Sequence, residues 1–426
     1  MKTTRPISAT ATITGLVGLV AGGLAIVALR GWNEAPYIKT LTVMALVALP
    51  MIAVDAGLFH TWRNPSTGLA PGPVNAFHLE RFLRKLVGFW LTIGALAFVY
   101  WLLPEYSRDF FQPFFGAARF ALSILVVASP LYIAFVDRRQ IEPNDAYAEL
   151  GALAGGTLPA DWSKLLAHAK AWTIKGFFLP LMFVFLNNFL VDLWATPAPF
   201  AFAKFSDLYD RFYQIFFMID VMFAVVGYVM TLRLLDTQIR SSEPTVFGWV
   251  ICLVCYEPFY NQIGNSYLNY ESDNFFWGDL LGPFPAAYAI WGSVILILLL
   301  TYAWATMAFG LRFSNLTNRG IITHGPYALM KHPAYVSKNI SWWLISIPFL
   351  SQASWPDTFR QTILLGLVST IYLCRAITEE RHLSREPAYR EYQAWIRENG
   401  LWARVLRLAR GRRLGEPSSA APQVRS

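Results

Sequence analysis

Residues 286–309 read AAYAIWGSVILILLLTYAWATMAF, and no charged side chain interrupts them. Apolar residues fall on every face of the helix this run would form, so there is no single stripe to turn toward a soluble core. At about 1.5 Å per residue the run is longer than the roughly 30 Å hydrocarbon layer of a bilayer. It reads as a transmembrane helix. Nine further apolar stretches lie near 8–29, 40–58, 86–103, 114–135, 173–195, 212–232, 244–262, 339–351 and 359–378. The ninth of the ten, 339–351, is short enough to be a tilted or re-entrant element. The first is too long for a signal-peptide core and ends in Leu29-Arg30-Gly31 without a small-residue cleavage site, so it reads as an anchor.

Composition agrees. The chain has 426 residues, of which 55% are hydrophobic and 15% charged, with a mean hydropathy of +0.40, whereas a soluble domain carries roughly 25% charged residues. Three cysteines exclude a disulfide scaffold, and the apolar content excludes disorder. The expected fold class is all-α, a polytopic integral membrane protein of about ten transmembrane helices. With the N-terminus inside, alternate loops hold 27 Lys+Arg against 6 in the opposite set, with Arg119 and Lys175 at span entrances. That asymmetry predicts cytoplasmic N- and C-termini. The net charge of +8 then reflects topology and lipid headgroups, and no nucleic-acid partner is expected. The expected location is multi-pass in the bacterial inner (plasma) membrane.

Two loops stand out from the spans. Residues 136–170 are polar, and Asp161-Trp162-Ser163 is suited to start a short surface helix. Residues 263–285 hold Glu271, Asp273 and Asp279 among aromatics with no Lys or Arg, which suits an outer face. The stretch 401–413, LWARVLRLARGRR, has the pattern of a basic amphipathic helix on an anionic leaflet. Phosphate-loop, HExxH and GxGxxG motifs are missing, and the six histidines lack ligand spacing, so no metal is expected. Cys252 and Cys255 form a CxxC within an apolar span, which reads as two small buried hydrophobes. Asp220, Glu257 and the Asn187-Asn188 pair are polar at membrane depth; such residues either carry function or fix helix packing.

The chemistry concentrates in 319–393, which begins RGIITHGPYALMKHPAYVSKN and resumes as CRAITEERHLSREPAYREYQ. Gly325-Pro326-Tyr327 is a turn. Pro333, just after His332, suits the first position of a helix, whose free N–H groups and dipole attract an anion, with Lys331 and Lys338 adding charge. Arg375 and Glu379, four apart, share a helix face. Carboxylates Glu379 and Glu380 at that helix's C-terminal end oppose its dipole and so invite a cationic partner.

Taken together, these residues resemble the isoprenylcysteine carboxyl methyltransferase and phospholipid methyltransferase family of integral-membrane enzymes. The family pattern is GPY-x3-RHPxYxG, an Arg four residues before a Glu-Glu pair, then a Leu and Tyr-x2-Tyr. The matches are Gly325, Pro326, Tyr327, His332, Pro333, Tyr335, Arg375, Glu379, Glu380, Leu383, Tyr389 and Tyr392. They cover roughly 290–400. Lys331 replaces the family's Arg, Ser337 its Gly, and Pro387 interrupts its Phe-Gly. The resemblance divides the chain into an N-terminal membrane region of unassigned role (1–285), a methyltransferase-like core (286–400) and the tail (401–426).

The resemblance implies S-adenosylmethionine as cofactor. Its carboxylate would lie at the helix start near His332–Tyr335, and its ammonium or ribose at Glu379 and Glu380. Tyr335 or a Trp of the 342–343 pair would pack on adenine or the sulfonium. The implied cofactor-binding residues are Gly325, Pro326, Tyr327, His332, Pro333, Tyr335, Glu379 and Glu380. Arg375 and His332 are the implied catalytic residues, and Lys338, Asn339 and Tyr389 substrate candidates. The acceptor would be a lipid or lipidated molecule. The alternative is an NADPH-dependent membrane sterol or enone reductase, which shares an HPxY segment. Reductases follow it with x-Gly-Glu, whereas this chain has Val336-Ser337-Lys338.

Overall fold

The structure, a computed structural model, describes residues 4–157, 160–197, 199–272, 275–350 and 354–409. Asp273 and the part of the basic tail beyond 409 lie outside the described residues. In chain order the α-helices are α1 (Thr12–Ala28), α2 (Pro36–Ala53), α3 (Leu79–Leu102), α4 (Gln112–Asp137), α5 (Ala146–Ala154), α6 (Trp162–Ala195), α7 (Phe205–Val229) and α8 (Val246–Leu253). They continue as α9 (Phe259–Tyr267), α10 (Trp277–Leu281), α11 (Pro285–Met307), α12 (Pro333–Ser346), α13 (Trp355–Leu383), α14 (Pro387–Asn399) and α15 (Leu401–Ala409). Two-residue strands β1 (Ser241–Ser242) and β2 (Thr317–Asn318) pair antiparallel, Ser241 opposite Asn318.

Seven helices among the described residues are long and apolar enough to cross a membrane: Pro36–Leu58, Leu79–Leu102, Asp109–Asp137, Trp162–Ala195, Phe205–Val229, Pro285–Met307 and Trp355–Leu383. The fold is therefore a helical membrane bundle. Three of the ten apolar stretches fall short of this length. Thr12–Ala28 is one shorter apolar helix. Residues 244–262 are broken between α8 and α9, where Pro258 lacks the N–H a continuous helix needs. Residues 339–351 include the second half of α12, which stops at Ile347 in the left-handed region, with Pro348 after it. The expected short surface helix at 162 is corrected: Asp161 caps Ser163 and Lys164, and the same helix runs on as the 34-residue α6.

The core lies between α6 and α7. Ile174, Phe178, Leu186 and Leu190 of α6 and Phe223 and Val225 of α7 are fully buried. By contrast α3 and α4 turn Leu83, Leu91, Phe98, Ile124 and Leu131 outward, as lipid-facing helices do. The two loop sets sort to opposite ends. At one end Leu69 bridges Gln140, Asn64 and Ser66 reach Asp236, Ala9 meets Ile321, and Asn318 meets Glu386. At the other, Arg30 reaches the Thr196 carbonyl and Arg360 the Ser272 hydroxyl.

Several buried charges at the first end find partners. Asp137 takes Arg81 at 2.8 Å and Lys85 at 2.9 Å. Arg312 bonds both the carbonyl and the carboxylate of Asp236. Arg319 spends its guanidinium on the carbonyls of Gly227, Met230, Thr237, Leu311 and Phe313, at 2.7 to 3.1 Å. It thereby ties the end of α7 to the segment leaving α11.

Candidate functional site

A cavity of about 380 Å³ opens where α6, α7, α8, α11, α12 and α13 converge. The sequence shapes its motif wall locally. Gly325 sits at φ +60°, a region a side chain disfavours, and a Cβ there would come within 3.3 Å of Trp304 Nε1. This turn presents Tyr327 to the cavity, its ring edge-on to Phe309 at 5.4 Å. From α14, the Tyr392 hydroxyl donates to the Tyr327 carbonyl at 2.7 Å and the Met330 carbonyl at 3.3 Å. Burial pushes the Tyr392 phenol up, which keeps that donor protonated.

Pro333 then opens α12, whose first turn has no side-chain cap. Ala334 and Tyr335 of that turn line the cavity. His332 and Tyr335 stack with planes 3° apart and centroids 5.5 Å apart. Across from them, the end of α13 brings Arg375 and Glu379 to the same space. The Tyr335 hydroxyl donates to Glu379 at 2.8 Å. The Arg375 guanidinium lies over the rings of Tyr335, Tyr372 and Tyr256 at 5.1, 5.2 and 5.5 Å and donates to Asn315 Oδ1 at 3.3 Å. No ion pair of Arg375 is found among the described residues.

The two glutamates part company. Glu380 accepts from Lys331 at 2.6 Å, from Gln393 at 3.3 Å, and sits 2.9 Å from His332 Nε2. It does not line the cavity; it locks the motif loop onto α13. Glu379 does line it.

Of the other residues singled out in the sequence, His332, Lys331 and Lys338 line the same cavity, while Gly325, Pro326 and Pro333 do not and instead form the turn and the helix start that carry Tyr327, Ala334 and Tyr335. Asn339 points elsewhere: its amide donates to the Tyr335 carbonyl at 2.8 Å along α12. Tyr389 lines an adjoining pocket of about 60 Å³, which shares Tyr327, Lys331 and Glu379 with the main cavity. Ser337, where the motif has Gly, is buried and returns its hydroxyl to the Pro333 carbonyl at 2.7 Å, so it does not fill the site.

Residues that the motif did not include complete the lining. Cys252, Cys255 and Tyr256 come from α8 and the turn after it, Asn315 from the loop after α11, and Asp220 from α7. Asp220 accepts from the hydroxyls of Tyr302 and Thr306, each at 2.5 Å. Among these added lining residues, Asp220 is the one that polarity at membrane depth singled out in the sequence. No cluster of three or more His, Cys, Asp or Glu suited to a metal is present among the described residues.

No family model, no curated protein and no solved structure matches this chain.

Proposed function

We propose that the chain is an integral-membrane S-adenosylmethionine-dependent methyltransferase acting on a lipid or lipidated acceptor. The observation that carries this reading is the convergence on one cavity of Arg375, Glu379, His332, Tyr335 and the Gly325-Pro326-Tyr327 turn. These positions are far apart in sequence, yet they are the ones that the family resemblance singles out.

The donor set fits the cofactor's charges. Glu379 offers a carboxylate to an ammonium, and Arg375 offers a cation held by aromatic rings with no carboxylate in ion-pair distance among the described residues. The uncapped start of α12 offers backbone N–H groups to a carboxylate. When bound, the cofactor supplies an electrophilic methyl group on a sulfonium. The chain's own part is to fix orientation and keep water out. Tyr335 holds Glu379, the Glu380 pairs hold the loop, and the apolar wall of α6 and α7 excludes solvent. Arg375, ringed by tyrosines, orients an anionic group.

The reductase alternative draws less support. Of the four basic residues that could hold nucleotide phosphates, Arg312 and Arg319 are consumed by Asp236 and by backbone carbonyls and Lys331 pairs with Glu380, which leaves Lys338 as the one without such a partner among the described residues. That both termini are cytoplasmic is supported by the basic-loop asymmetry and by the gathering of those basic loops at one end. Catalysis at the cytoplasmic face follows, since the motif loop lies at that end.

Calorimetry on the purified protein tests the reading. Binding of S-adenosylmethionine or S-adenosylhomocysteine, and none of NADPH, is expected. NADPH binding that survives Glu379→Gln would overturn it.

A further inference from the structure

The cavity wall facing α12 and α13 comes from the N-terminal region, to which the sequence assigned no role. Met182, Phe185 and Phe189 of α6 and Phe217 and Val221 of α7 make it apolar. One acid of α7 interrupts that apolar face. Asp220 stands there, its two oxygens held by the Tyr302 and Thr306 hydroxyls at 2.5 Å. Lys338 enters from α12, and its ammonium lies over the rings of Tyr302, Trp342 and Phe217 at 5.1, 5.2 and 5.7 Å. Among the described residues no carboxylate lies within ion-pair distance of it. Tyr302 thus has the acid at its hydroxyl and the cation against its ring.

This pairing selects a ligand by charge. An anionic or a cationic head entering between them is attracted by one group and repelled by the other, so neither sign gains a net charge interaction from the pair. A neutral hydroxyl gains from both, giving its proton toward Asp220 while Lys338 stabilises the oxygen that is left. Among hydroxyls a phenol is acidic enough for a carboxylate base assisted by a cation, and the surrounding rings suit an aromatic head.

We propose that the N-terminal spans build the acceptor half of the site. In this assignment it takes a phenolic lipid, Asp220 takes the hydroxyl proton, and Lys338 holds the oxygen. The inference rests on the methyl-transfer reading and deepens it. The O–H proton passes to Asp220, the O–CH3 bond forms, and the breaking C–S bond leaves its electron pair on sulfur. The product is an aryl methyl ether.

The test uses the full chain in phosphatidylcholine nanodiscs with isotope-labelled S-adenosylmethionine and three probes of similar chain length: 3-pentadecylphenol, pentadecylamine and hexadecanoate. The phenol should be methylated at least about tenfold faster than the others. Asp220→Asn should lower kcat by about a hundredfold or more, as loss of a general base does, and should remove the acid limb of the pH profile. Its KM for the phenol and its affinity for S-adenosylhomocysteine should stay within about threefold, because a base acts in the transition state. Asp220→Glu should restore part of the rate. A diazirine-bearing form of the phenol should label peptides of α6 and α7. Preference for the amine or carboxylate, an unchanged kcat and pH profile in Asp220→Asn, or labelling confined to α3 and α4 would overturn the proposal. Absence of S-adenosylhomocysteine binding overturns the methyl-transfer reading and the proton step together. The photolabel needs no cofactor, so it decides the phenol pocket independently.

Discussion

Two adjacent glutamates carry different duties, and substitution should separate them. Glu379 faces the cavity with one hydrogen bond from Tyr335, so Glu379→Gln removes a charged contact to a bound ammonium while leaving the fold intact. A charged hydrogen bond is worth about 1.5–3 kcal/mol, so S-adenosylhomocysteine affinity should fall at least about tenfold with little change in thermal stability. Glu380 instead bonds Lys331, His332 and Gln393. Glu380→Gln should lower the melting temperature measured in detergent, and should weaken cofactor binding only through the loosened loop. A stability loss for Glu379→Gln equal to that of Glu380→Gln would contradict the division. In the sequence both acids looked alike. Only their rotation about α13, with one turned to the cavity and its neighbour to the motif loop, distinguishes them.

The packing of α3 on α5 depends on close backbone approach, and the motif loop on a docked N-terminal segment. A Cβ at Gly88 of α3 would meet the Tyr147 carbonyl of α5 at 2.0 Å, and one at Gly151 of α5 would meet the Arg84 carbonyl of α3 at 1.9 Å. Backbone cannot give way as a side-chain tip does, so Gly151→Ala should force the helices apart and cost about 1–3 kcal/mol. Differential scanning of the variant in detergent checks this. The extended segment before α1 lies along the motif loop. Ala9 N–H donates to the Ile321 carbonyl at 2.9 Å, Thr323 N–H to the Ser8 hydroxyl at 3.2 Å, and Ser8 meets His324 Nδ1 at 2.9 Å. Burial, with some repulsion from Arg5, lowers the His324 pKa from 6.5 to about 4. The unfolded chain therefore binds this proton more readily. The contribution of neutral His324 is full above pH 6.5 and is lost as the pH falls toward 4. Amide exchange at Ala9 and Thr323 should accelerate across that window beyond its intrinsic pH dependence, and His324→Gln should flatten the response.

At the scale of the whole molecule, the basic loops gather at one end and the acid-bearing, aromatic segment 263–272 belongs to the other. If that basic end faces the cytoplasm, a single cysteine at Arg385 should react with membrane-impermeant maleimide only in inverted vesicles. One at Ser107 should react only in right-side-out vesicles. Both positions are solvent-exposed, and Cys252, Cys255 and Cys374 are replaced beforehand in this experiment. The reverse labelling pattern would invert the topology. Within region 1–285, helices α6 and α7 form both the core of the bundle and one wall of the cavity.

The sequence alone determined the helical membrane class, because a bilayer requires long apolar runs whose backbone bonds are satisfied internally, and such runs are visible without any contact. It also placed the candidate motif residues along the chain, since a turn, a proline-started helix and a charged helix end are local features. It could not determine which spans are continuous, because the break after α8 and the early stop of α12 depend on single residues and on what packs around them. Nor could it tell that Arg319 is a bracket for five carbonyls, that Asn339 turns along its own helix, or that Asp220 meets Lys338 across Tyr302. Those are facts of rotation and long-range packing. Which face of a helix meets the cavity is decided only when α6, α7, α11, α12 and α13 settle against one another, and that settlement is what gathered distant polar residues into one chamber.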